Sequence, residues 1–357
     1  MTLILSNKDV EELLTMSECI DVLEAAYAEL AAGRGLARTR SDSLATTTRP
    51  DAHYSLKSMD GVIPKFGISA VRIGSDIITM PKVGDSIRRV KVPAAPNGRY
   101  VGLVLLFSTE NGEPLAIMPD GIMQRIRVGA TSGLGIKYLA RRDAKNIGLL
   151  GSGWQAGTQL MAACAVRDIR SIQCFSPHRE RREAFCKEMC AVLDVEVIPV
   201  DQPEIAVAGA DIVMCATNSE DAVFFENWIT PGIHLSSIKK PEVDPPAIKR
   251  ADRVIIHAGD NRPIVELSTD LPEAVIAAEG RRWPGADDTD FKFPTLPDLI
   301  AGKTKGRERE EDITCFLNYL GLGYQFAAAG SVVYRKARER GMGRELPTGW
   351  FTEDVHP

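Results

Sequence analysis

The stretch Asn146-Ile-Gly-Leu-Leu-Gly-Ser-Gly-Trp-Gln-Ala156 decides the fold of this chain, because an apolar run meets a glycine turn there. Ile147 to Leu150 predict a short buried strand. The next six residues match the G-x-G-x-x-G/A fingerprint of a dinucleotide site: Gly151, Ser152, Gly153, Trp154, Gln155 and Ala156. The first glycine permits a tight turn, the second lets a pyrophosphate approach the backbone, and the alanine lets a helix pack closely. Free N–H groups at the start of that helix would bind the phosphates.

The segments around this motif supply the context that a lone glycine motif lacks. A small-residue helix is predicted over residues 157–166, and further apolar runs follow at 171–175, 210–217, 233–237 and 253–257. Strands that alternate with helices indicate a parallel α/β sheet, which disfavours the alternative of a glycine turn without a ligand. We assign Ala216, Thr217 and Ser237, where two of these strands end, to the cofactor site.

The end of the second predicted strand selects between the two nicotinamide cofactors. NAD enzymes usually place Asp or Glu there to bind the ribose 2′-hydroxyl. This chain instead has Ser176, followed by His178 and Arg179, so a hydroxyl and a guanidinium are available for a 2′-phosphate. We therefore favour NADP(H), with NAD(H) as the alternative. The competing interpretation is a solvated helix face on which glutamates pair with the arginines, and it weighs more for Arg182 than for Arg179.

The composition of the chain excludes several classes of function. With 357 residues two domains are expected, and a net charge of −5 gives no general attraction to nucleic acid or anionic membranes. No apolar run is long enough to span a bilayer, and the N-terminal residues do not resemble a signal peptide, so we expect a cytoplasmic protein. The 7 cysteines form no C-x-x-C pair and the 5 histidines are scattered, so we expect reduced thiols and no metal site.

Outside the dinucleotide segment the pattern predicts four helices and five strands. The helices cover residues 8–14, 17–32, 120–139 and 313–340, and the strands cover 3–5, 53–59, 67–73, 101–107 and 114–118. Asp60-Gly61 and Asn111-Gly112 are typical of turns between neighbouring strands. Residues 38–51 and 270–302 carry no clear pattern, and residues 79–100 predict a long mobile loop.

Together these segments resemble the ornithine cyclodeaminase/mu-crystallin family over nearly the whole chain. The resemblance is carried by Leu3-Ile-Leu-Ser6, Leu103-Val-Leu-Leu-Phe107, Arg127-Val-Gly-Ala-Thr-Ser132, Gly151-Ser-Gly-Trp-Gln-Ala156, Ala208-Gly-Ala-Asp-Ile-Val213 and Asp312-Ile-Thr-Cys-Phe316. It implies a Rossmann-type domain over residues 126–309, beside an α+β substrate and dimerisation domain over residues 1–125. A C-terminal helix within residues 310–357 would complete that substrate domain, through which the family forms homodimers.

The resemblance also suggests which residues bind a substrate carboxylate. Arg127 matches the family's helix arginine, and Arg40 matches an N-terminal arginine in a looser alignment. Arg72 stands where the family usually has lysine, and arginine cannot release a proton near neutral pH. We therefore assign the proton-donor role to Lys57. The competing interpretations are a salt bridge in the core for Arg72 and a surface charge for Arg127.

The loop after residues 233–237 departs from the family pattern. Cyclodeaminases have an Asp in that loop, which interacts with the substrate amine, whereas this chain reads Ile238-Lys-Lys-Pro-Glu242. The nearest acids, Glu242 and Asp244, are expected at the surface. The missing Asp argues against ornithine as the substrate.

Three functions follow from these observations and from the resemblance. The leading hypothesis is an NADP(H)-dependent imine reductase or amino-acid dehydrogenase, in which Arg72 and Arg127 bind the carboxylate of a small imino acid and Lys57 protonates the nitrogen. The second is a cyclodeaminase with catalytic NAD, which needs no added reductant. The third is a crystallin-type protein that binds NADPH or a small ligand without turnover.

Overall fold

Two main β-sheets and the helices around them make up the chain, as the predicted α/β class requires. The computed structural model describes residues 1–83, 86–87, 89–259, 262–280 and 292–353. The strands are β1 (Thr2–Ile4), β2 (Leu36–Ala37), β3 (Ser41–Thr46), β4 (Ala52–Ile63), β5 (Ile68–Thr79), β6 (Lys82–Val83), β7 (Ser86–Ile87), β8 (Val90–Val92), β9 (Val101–Ser108), β10 (Pro114–Pro119), β11 (Asn146–Leu150), β12 (Ser171–Phe175), β13 (Glu196–Pro199), β14 (Ile212–Cys215), β15 (His234–Ser237), β16 (Arg253–Ile256), β17 (Ile264–Leu267), β18 (Thr314–Leu317) and β19 (Arg344–Leu346). The helices are α1 (Asn7–Leu13), α2 (Met16–Ala31), α3 (Gly121–Leu139), α4 (Ala156–Val166), α5 (Arg179–Leu193), α6 (Pro203–Val207), α7 (Pro245–Arg250), α8 (Glu273–Gly280), α9 (Leu296–Ile300) and α10 (Gly323–Arg340).

One sheet is the predicted dinucleotide fold. Its 7 strands run parallel in the order β13-β12-β11-β14-β15-β18-β16. Strands β14, β15 and β18 are buried along their whole length, because α3, α4 and α5 cover one face of the sheet and α6 and α7 cover the other. The strand order reverses between β11 and β14, and Rossmann-type sheets bind their ligands at the carboxyl edge of that switch point.

The other sheet is mixed and has 10 strands among the described residues. Its main order is β17-β3-β4-β5-β9-β10-β1-β19, and β2 and β8 pair with β4 and β5. We call the face that packs against α2, α3 and α10 the inner face of this sheet. Gly61 and Gly323 let the start of α10 lie directly on β4, since a Cβ on Gly61 would collide with Tyr324 Cα and one on Gly323 would collide with the backbone of Asp60.

Most of the elements predicted in the first third of the chain are confirmed. Helices α1, α2 and α3 begin at residues 7, 16 and 121, next to the predicted starts. Ser6 and Thr15 begin α1 and α2 with reciprocal capping boxes, which satisfy backbone N–H groups that have no partner inside the helix. Strands β9 and β10 form the hairpin expected at Asn111-Gly112, where Gly112 has φ +80°.

Two predictions are wrong, and one segment without an assignment contains a strand. Asp60-Gly61 is not a turn: β4 continues through it to Ile63, and the chain turns at Gly67, which has φ +68°. Residues 313–340 are not one helix, because β18 comes first and lies buried between β15 and β16. The polar segment 38–51, to which no element was assigned, contains β3. This strand pairs with β4 and with β17, and because β17 is distant in sequence, no local pattern indicates the pairing.

Strand β8, within the segment 79–100, and strand β17, just before the segment 270–302, extend the mixed sheet. The loop predicted at 79–100 is wrong in part, since β8 pairs with β5. Its residues 84, 85 and 88 lie outside the described residues, as do residues 281–291 of the segment 270–302. Just before the latter segment, β17 pairs in parallel with β3, and α8 follows. The chain therefore leaves the parallel sheet after β16, adds a strand to the mixed sheet, and returns to the parallel sheet at β18, beyond the boundary expected at residue 309.

Candidate active site

The glycine loop between β11 and α4 is shaped to receive a dinucleotide pyrophosphate. Gly151 has φ +113°, and a Cβ there would collide with the carbonyl oxygen of Ala216, so glycine is required. A Cβ on Gly153 would meet no heavy atom within 4 Å, which leaves space for a ligand beside the loop. In the described part of the chain, the N–H groups of Ser152 and Gly153 form no hydrogen bond with the protein. These open N–H groups and this space fit a pyrophosphate.

Trp154 and Gln155 complete the loop and lie beside an arginine that the sequence pattern did not single out. The ring of Trp154 is half exposed and lies 5.8 Å from the guanidinium carbon of Arg125 on α3. A Cβ on Gly157, in the first turn of α4, would meet Arg125 Nη2 at 2.7 Å. Arg125 Nε and Gln155 Oε1 are buried without hydrogen-bond partners among the described residues. The loop therefore carries one cation and one amide beyond its backbone groups.

Ser176 and Arg182 are joined by a hydrogen bond at the end of β12. Ser176 is buried, and its carbonyl oxygen accepts a hydrogen bond from Arg182 Nη1 at 2.7 Å. Arg182 is buried as well and pairs through Nη2 with Asp201. Protein groups therefore hold Arg182, and its side chain supports the end of β12.

His178 and Arg179 take no part in the hydrogen bonds that hold Arg182. Both are exposed, His178 just before α5 and Arg179 at its first residue. Arg179 Nε donates to Glu183 Oε1 at 2.8 Å, and 76% of the arginine side chain is accessible to solvent. An exposed ion pair of this kind is weak, so Arg179 is able to turn towards a ligand.

A buried carboxylate joins the ends of β14 and β15. Glu242 is fully buried, and five hydrogen-bond donors lie within 3.1 Å of its carboxylate oxygens. The donors are the N–H and hydroxyl groups of Thr217, the hydroxyl of Ser237 and the N–H groups of Ile238 and Lys239. The expectation that Glu242 is a surface residue is wrong, because these donors replace its hydration shell. Glu242 thereby fixes Thr217 and Ser237, with Ala216 beside them, at the carboxyl edge of the parallel sheet.

Lys57 and Arg72 project from the inner face of the mixed sheet. The register pairs Met59 with Arg72 and Lys57 with Gly74, and residues directly opposite each other share a face. Lys57 and Arg72 are therefore diagonal neighbours, with Cβ atoms roughly 7–8 Å apart. Gly74 makes room for the arginine, since a Cβ there would lie 3.0 Å from Arg72 Nη1.

Arg72 is paired with Asp120, the residue before α3. Arg72 Nε and Nη2 lie 2.7 and 2.6 Å from the same carboxylate oxygen of Asp120, which leaves Nη1 for another ligand. Gly102 accommodates the pair, because a Cβ there would collide with that carboxylate. The salt bridge that competed with a binding role for Arg72 is therefore present. No local pattern indicated Asp120, which was assigned only to the start of a helix.

Arg127 is buried and forms no ion pair within the described part of the chain. Its Nη1 donates to Gln325 Oε1 at 2.8 Å, whereas its Nε is buried without a partner. Its guanidinium carbon lies 5.0 Å from the centre of the Phe326 ring, which Arg72 also approaches, at 6.0 Å. Burial, together with repulsion from Arg72, lowers the pKa of Arg127 to about 10, so the side chain stays charged at neutral pH. A buried cation without a counter-charge is costly unless an anion joins it.

A chain of buried hydrogen bonds supports Arg127 from behind. Gln325 accepts from Arg127 and donates to Thr131 Oγ1 at 2.6 Å, and Tyr27 Oη lies 3.4 Å from that hydroxyl. Tyr27 Oη lies 2.6 Å from His257 Nε2, and His257 Nδ1 lies 3.0 Å from a backbone carbonyl. Nδ1 therefore carries the proton, and burial lowers the pKa of His257 to about 4 and keeps it neutral. No local pattern indicates this chain, because its members come from four separate segments.

Lys57 differs from Arg40 in having a free head group. Lys57 Nζ makes no hydrogen bond to any described residue, and its nearest carboxylate oxygen, on Asp76, is 4.0 Å away. Burial, with repulsion from Arg89, lowers the pKa of Lys57 to about 7. Arg40 instead donates from Nε and Nη2 to the two oxygens of buried Asp42, both at 2.8 Å. Lys57 is thus suited to exchange a proton near neutral pH, whereas Arg40 is occupied.

The described part of the chain contains no cluster of three His, Cys, Asp or Glu side chains that could hold a metal ion. None of its helices combines the length and the apolar character needed to cross a bilayer.

The model of the ornithine cyclodeaminase/mu-crystallin family matches residues 1–341 of this chain. Among curated proteins, a Delta(1)-pyrroline-2-carboxylate reductase of Bacillus cereus is 26% identical over 349 residues, which span 96% of this chain and 99% of the relative.

Two solved structures resemble the whole fold. The Delta(1)-pyrroline-2-carboxylate reductase of Thermococcus litoralis, in complex with NADH and L-proline, has a TM-score of 0.75 and 26% identity, covering 97% of this chain and 100% of that chain. An archaeal alanine dehydrogenase dimer with bound NAD has a TM-score of 0.74 and 25% identity, covering 97% of this chain and 99% of that chain.

Proposed function

The chain belongs to the ornithine cyclodeaminase/mu-crystallin family, and from that premise we propose that it is an NADP(H)-dependent oxidoreductase that reduces the C=N bond of a small imino acid. The observation that carries the proposal is Arg127, a buried cation that forms no ion pair in the described part of the chain and whose Nε has no hydrogen-bond partner there. Gly321, which follows the carboxyl end of β18, packs against its guanidinium. Relatives that are named for pyrroline-2-carboxylate reduction and alanine dehydrogenation support the same reaction class.

The substrate carboxylate binds Arg127 in this proposal. A carboxylate would supply the missing counter-charge and accept a hydrogen bond from the unpartnered Nε. Gln325 holds the opposite side of the guanidinium, so the arginine is oriented before the substrate arrives. Arg72 contributes its remaining Nη1, while Asp120 keeps the pair of arginines from repelling each other strongly.

Lys57 donates the proton to the substrate nitrogen. Its pKa of about 7 places both protonation states within reach at neutral pH, which a general acid requires. When bound, the reduced nicotinamide supplies the hydride for the imine carbon. The glycine loop holds the pyrophosphate through its free N–H groups, and Thr217 and Ser237, fixed by Glu242, position the nicotinamide end.

NADP(H) is the favoured cofactor. The end of β12 has no acid that would repel a 2′-phosphate, since Ser176 occupies that position. Arg179 is exposed one turn away and is held only by a weak surface ion pair. NAD(H) remains the alternative, and relatives with bound NADH or NAD illustrate it.

A cyclodeaminase is the second candidate, and the loop after β15 disfavours it. Glu242 is the first acid in that loop, and its carboxylate is committed to five protein donors. It is therefore not available to bind a substrate amine. The candidate predicts release of ammonia from ornithine or lysine with catalytic NAD and no added reductant.

The test is a spectrophotometric assay of NADPH and NADH oxidation. The substrates are pyrroline-2-carboxylate and a panel of 2-oxo acids mixed with ammonia or methylamine. We expect oxidation of NADPH with at least one imine, and its loss in Arg127→Met. Oxidation of neither cofactor by any imine, with NADPH binding intact, would reject the reductase in favour of a binding protein. Ammonia release from a diamino acid without reductant would favour the cyclodeaminase.

A homodimer follows from the outer face of the mixed sheet, opposite the inner face. Leu56, Val101 and Leu103 project from it with 37%, 43% and 39% of their surfaces exposed. Exposed apolar side chains on one face of a sheet favour a partner, and a second copy would cover them with the same surface. We expect Leu103→Glu to convert the dimer to a monomer in light scattering, whereas Val192→Glu, at an exposed apolar residue of α5, should not. A monomeric wild-type chain would reject the dimer.

A further inference from the structure

Three buried polar side chains lack hydrogen-bond partners near the first residues of β4, on the inner face of the mixed sheet. His53 and Ser55 project from the same face as Lys57, because side chains alternate along the strand. His53 is 2% exposed and Ser55 is fully buried, yet the described residues offer no hydrogen-bond partner to His53 Nε2 or Ser55 Oγ. Arg89 Nη2, from the segment before β8, is buried without a partner in the same way.

Ion pairs bring these groups around one small region next to Lys57. Arg89 Nε donates to Glu279 Oε1 at 2.6 Å, and the same oxygen lies 3.4 Å from His53 Nε2. Asp76 stands opposite Ser55 in the register of β4 and β5, and it is also the carboxylate nearest to Lys57. The region therefore continues from the proton donor along β4, away from Met59 and Arg72.

The acids in this region already have cationic partners. Asp76 pairs with Lys91 at 2.9 Å, Glu279 pairs with Arg89, and Asp42 pairs with Arg40. The groups left without partners include two that can donate, the Ser55 hydroxyl and Arg89 Nη2, and the head group of Lys57 adds positive charge. A buried donor that stays unsatisfied destabilises the fold, so these groups favour a ligand that accepts hydrogen bonds.

We propose that His53, Ser55 and Arg89 form a second anion subsite, which receives a side-chain carboxylate of the substrate. This inference rests on the proposed imine reduction and adds that the substrate is a dicarboxylic imino acid. One carboxylate binds Arg127, the C=N bond lies near Lys57, and the second carboxylate accepts hydrogen bonds from Ser55 and Arg89. A side-chain ammonium would bring only donors and would be repelled by Lys57 and Arg89, so a diamino acid does not fit.

Binding of unreactive acids tests the subsite without turnover. Isothermal titration of the protein saturated with NADP⁺ or NAD⁺ compares succinate with butyrate and glutarate with pentanoate. At least one diacid should bind about 10-fold more tightly than its matched monoacid, because one charge-assisted hydrogen bond increases affinity by about that factor. Ser55→Ala and Arg89→Met should each reduce that ratio to below about 3-fold. Ser58→Ala, on the opposite face of β4, and Arg99→Met, at an exposed residue nearby, should leave the ratio as it is.

The outcomes separate the subsite from the reductase. Three outcomes would overturn the subsite: equal affinities within each matched pair, no measurable diacid binding, or a ratio that persists in Ser55→Ala. The unpartnered groups would then bind only ordered water. If Arg89→Met does not fold, Ser55→Ala decides alone. Reduction of pyrroline-2-carboxylate without any diacid preference would leave the reductase standing and remove the subsite. A diacid preference that is lost in Ser55→Ala, without turnover of any imine, would keep the subsite and reject the reductase.

Discussion

Two guanidinium groups lie along α3, that of Arg127 within its first half and that of Arg167 at its end, and they differ in their hydrogen-bond partners. At the end of the helix, Arg167 donates from all three of its nitrogen atoms. Its acceptors are the carbonyl oxygens of Ile136, Lys137, Ala140, Arg141 and Val166, at 2.8 to 3.0 Å. In the first half of the helix, Arg127 has one neutral acceptor, on Gln325, and a buried Nε without any. Arg167 is fully bound by carbonyl oxygens and stabilises the fold, whereas Arg127 has no ion-pair partner among the described residues and is the place where we propose that the substrate carboxylate binds.

The polarity of the helix sharpens this difference. The last turn of a helix leaves carbonyl groups without partners and carries partial negative charge, so it favours a cation such as Arg167. The first half of a helix offers no such compensation to Arg127. The folded chain thus keeps a buried charge that forms no ion pair with the described residues, which supports the proposal that a substrate carboxylate binds there.

The largest effect is expected from removing Arg127. In Arg127→Met, kcat/KM for the imine substrate should fall roughly 100- to 1,000-fold, because the substrate carboxylate is left without its buried counter-charge. Thermal unfolding should occur at the same temperature as in the wild type or higher, since an unbalanced buried charge is lost and Gln325 Oε1 keeps the Leu322 N–H as a donor. A clear loss of stability with normal turnover would instead make Arg127 a structural residue.

Arg167 should show the opposite behaviour. In Arg167→Met, the free energy of unfolding in urea should fall by about 2–4 kcal/mol, because several carbonyl oxygens lose their donor together. The matched control is Arg170→Met, whose exposed pair with Asp168 predicts a change within about 0.5 kcal/mol. If the Arg167→Met protein is as stable as the control, the difference proposed between the roles of Arg127 and Arg167 is wrong.

Lys57, like Arg127, is a largely buried cationic side chain, and its protonation should control the reaction rate. Its head group has no hydrogen bond among the described residues, and burial lowers its pKa to about 7. Since only the ammonium form donates, kcat/KM for reduction of a preformed cyclic imine should fall about 10-fold per pH unit above that pKa. The oxidative direction needs the neutral amine and should rise through the same pH. In Lys57→Met the break near pH 7 should vanish; if it persists, the break belongs to another group.

The parallel sheet could be predicted from the sequence because its information is local. Its strands are short apolar runs, helices connect most of the strands from β11 to β16, and the tight turn at Gly151 requires a glycine. The cofactor loop at 151–156 could be located for the same reason.

The mixed sheet and the partners of the substrate arginines could not be predicted, because they depend on contacts between distant segments. Strand β17 pairs with β3 more than two hundred residues earlier, and Gln325 reaches Arg127 across 198 residues. The family resemblance suggested that Arg72 and Arg127 bind the carboxylate together. Only the fold places Asp120 on Arg72 and leaves Arg127 without an ion pair among the described residues.

The smallest effect should come from Arg179, whose exposed guanidinium differs from the buried guanidinium of Arg182 on the same helix. Arg182 is buried against the Ser176 carbonyl and Asp201, whereas Arg179 has only an exposed pair with Glu183. If Arg179 binds a 2′-phosphate, Arg179→Ala should raise KM for NADPH relative to NADH by roughly 3- to 10-fold, as expected for about 1 kcal/mol from an exposed charge. Steady-state kinetics with both cofactors measures the ratio. An unchanged ratio, or a wild-type preference for NADH, would remove the 2′-phosphate from the site while leaving the imine chemistry at Arg127 and Lys57 intact.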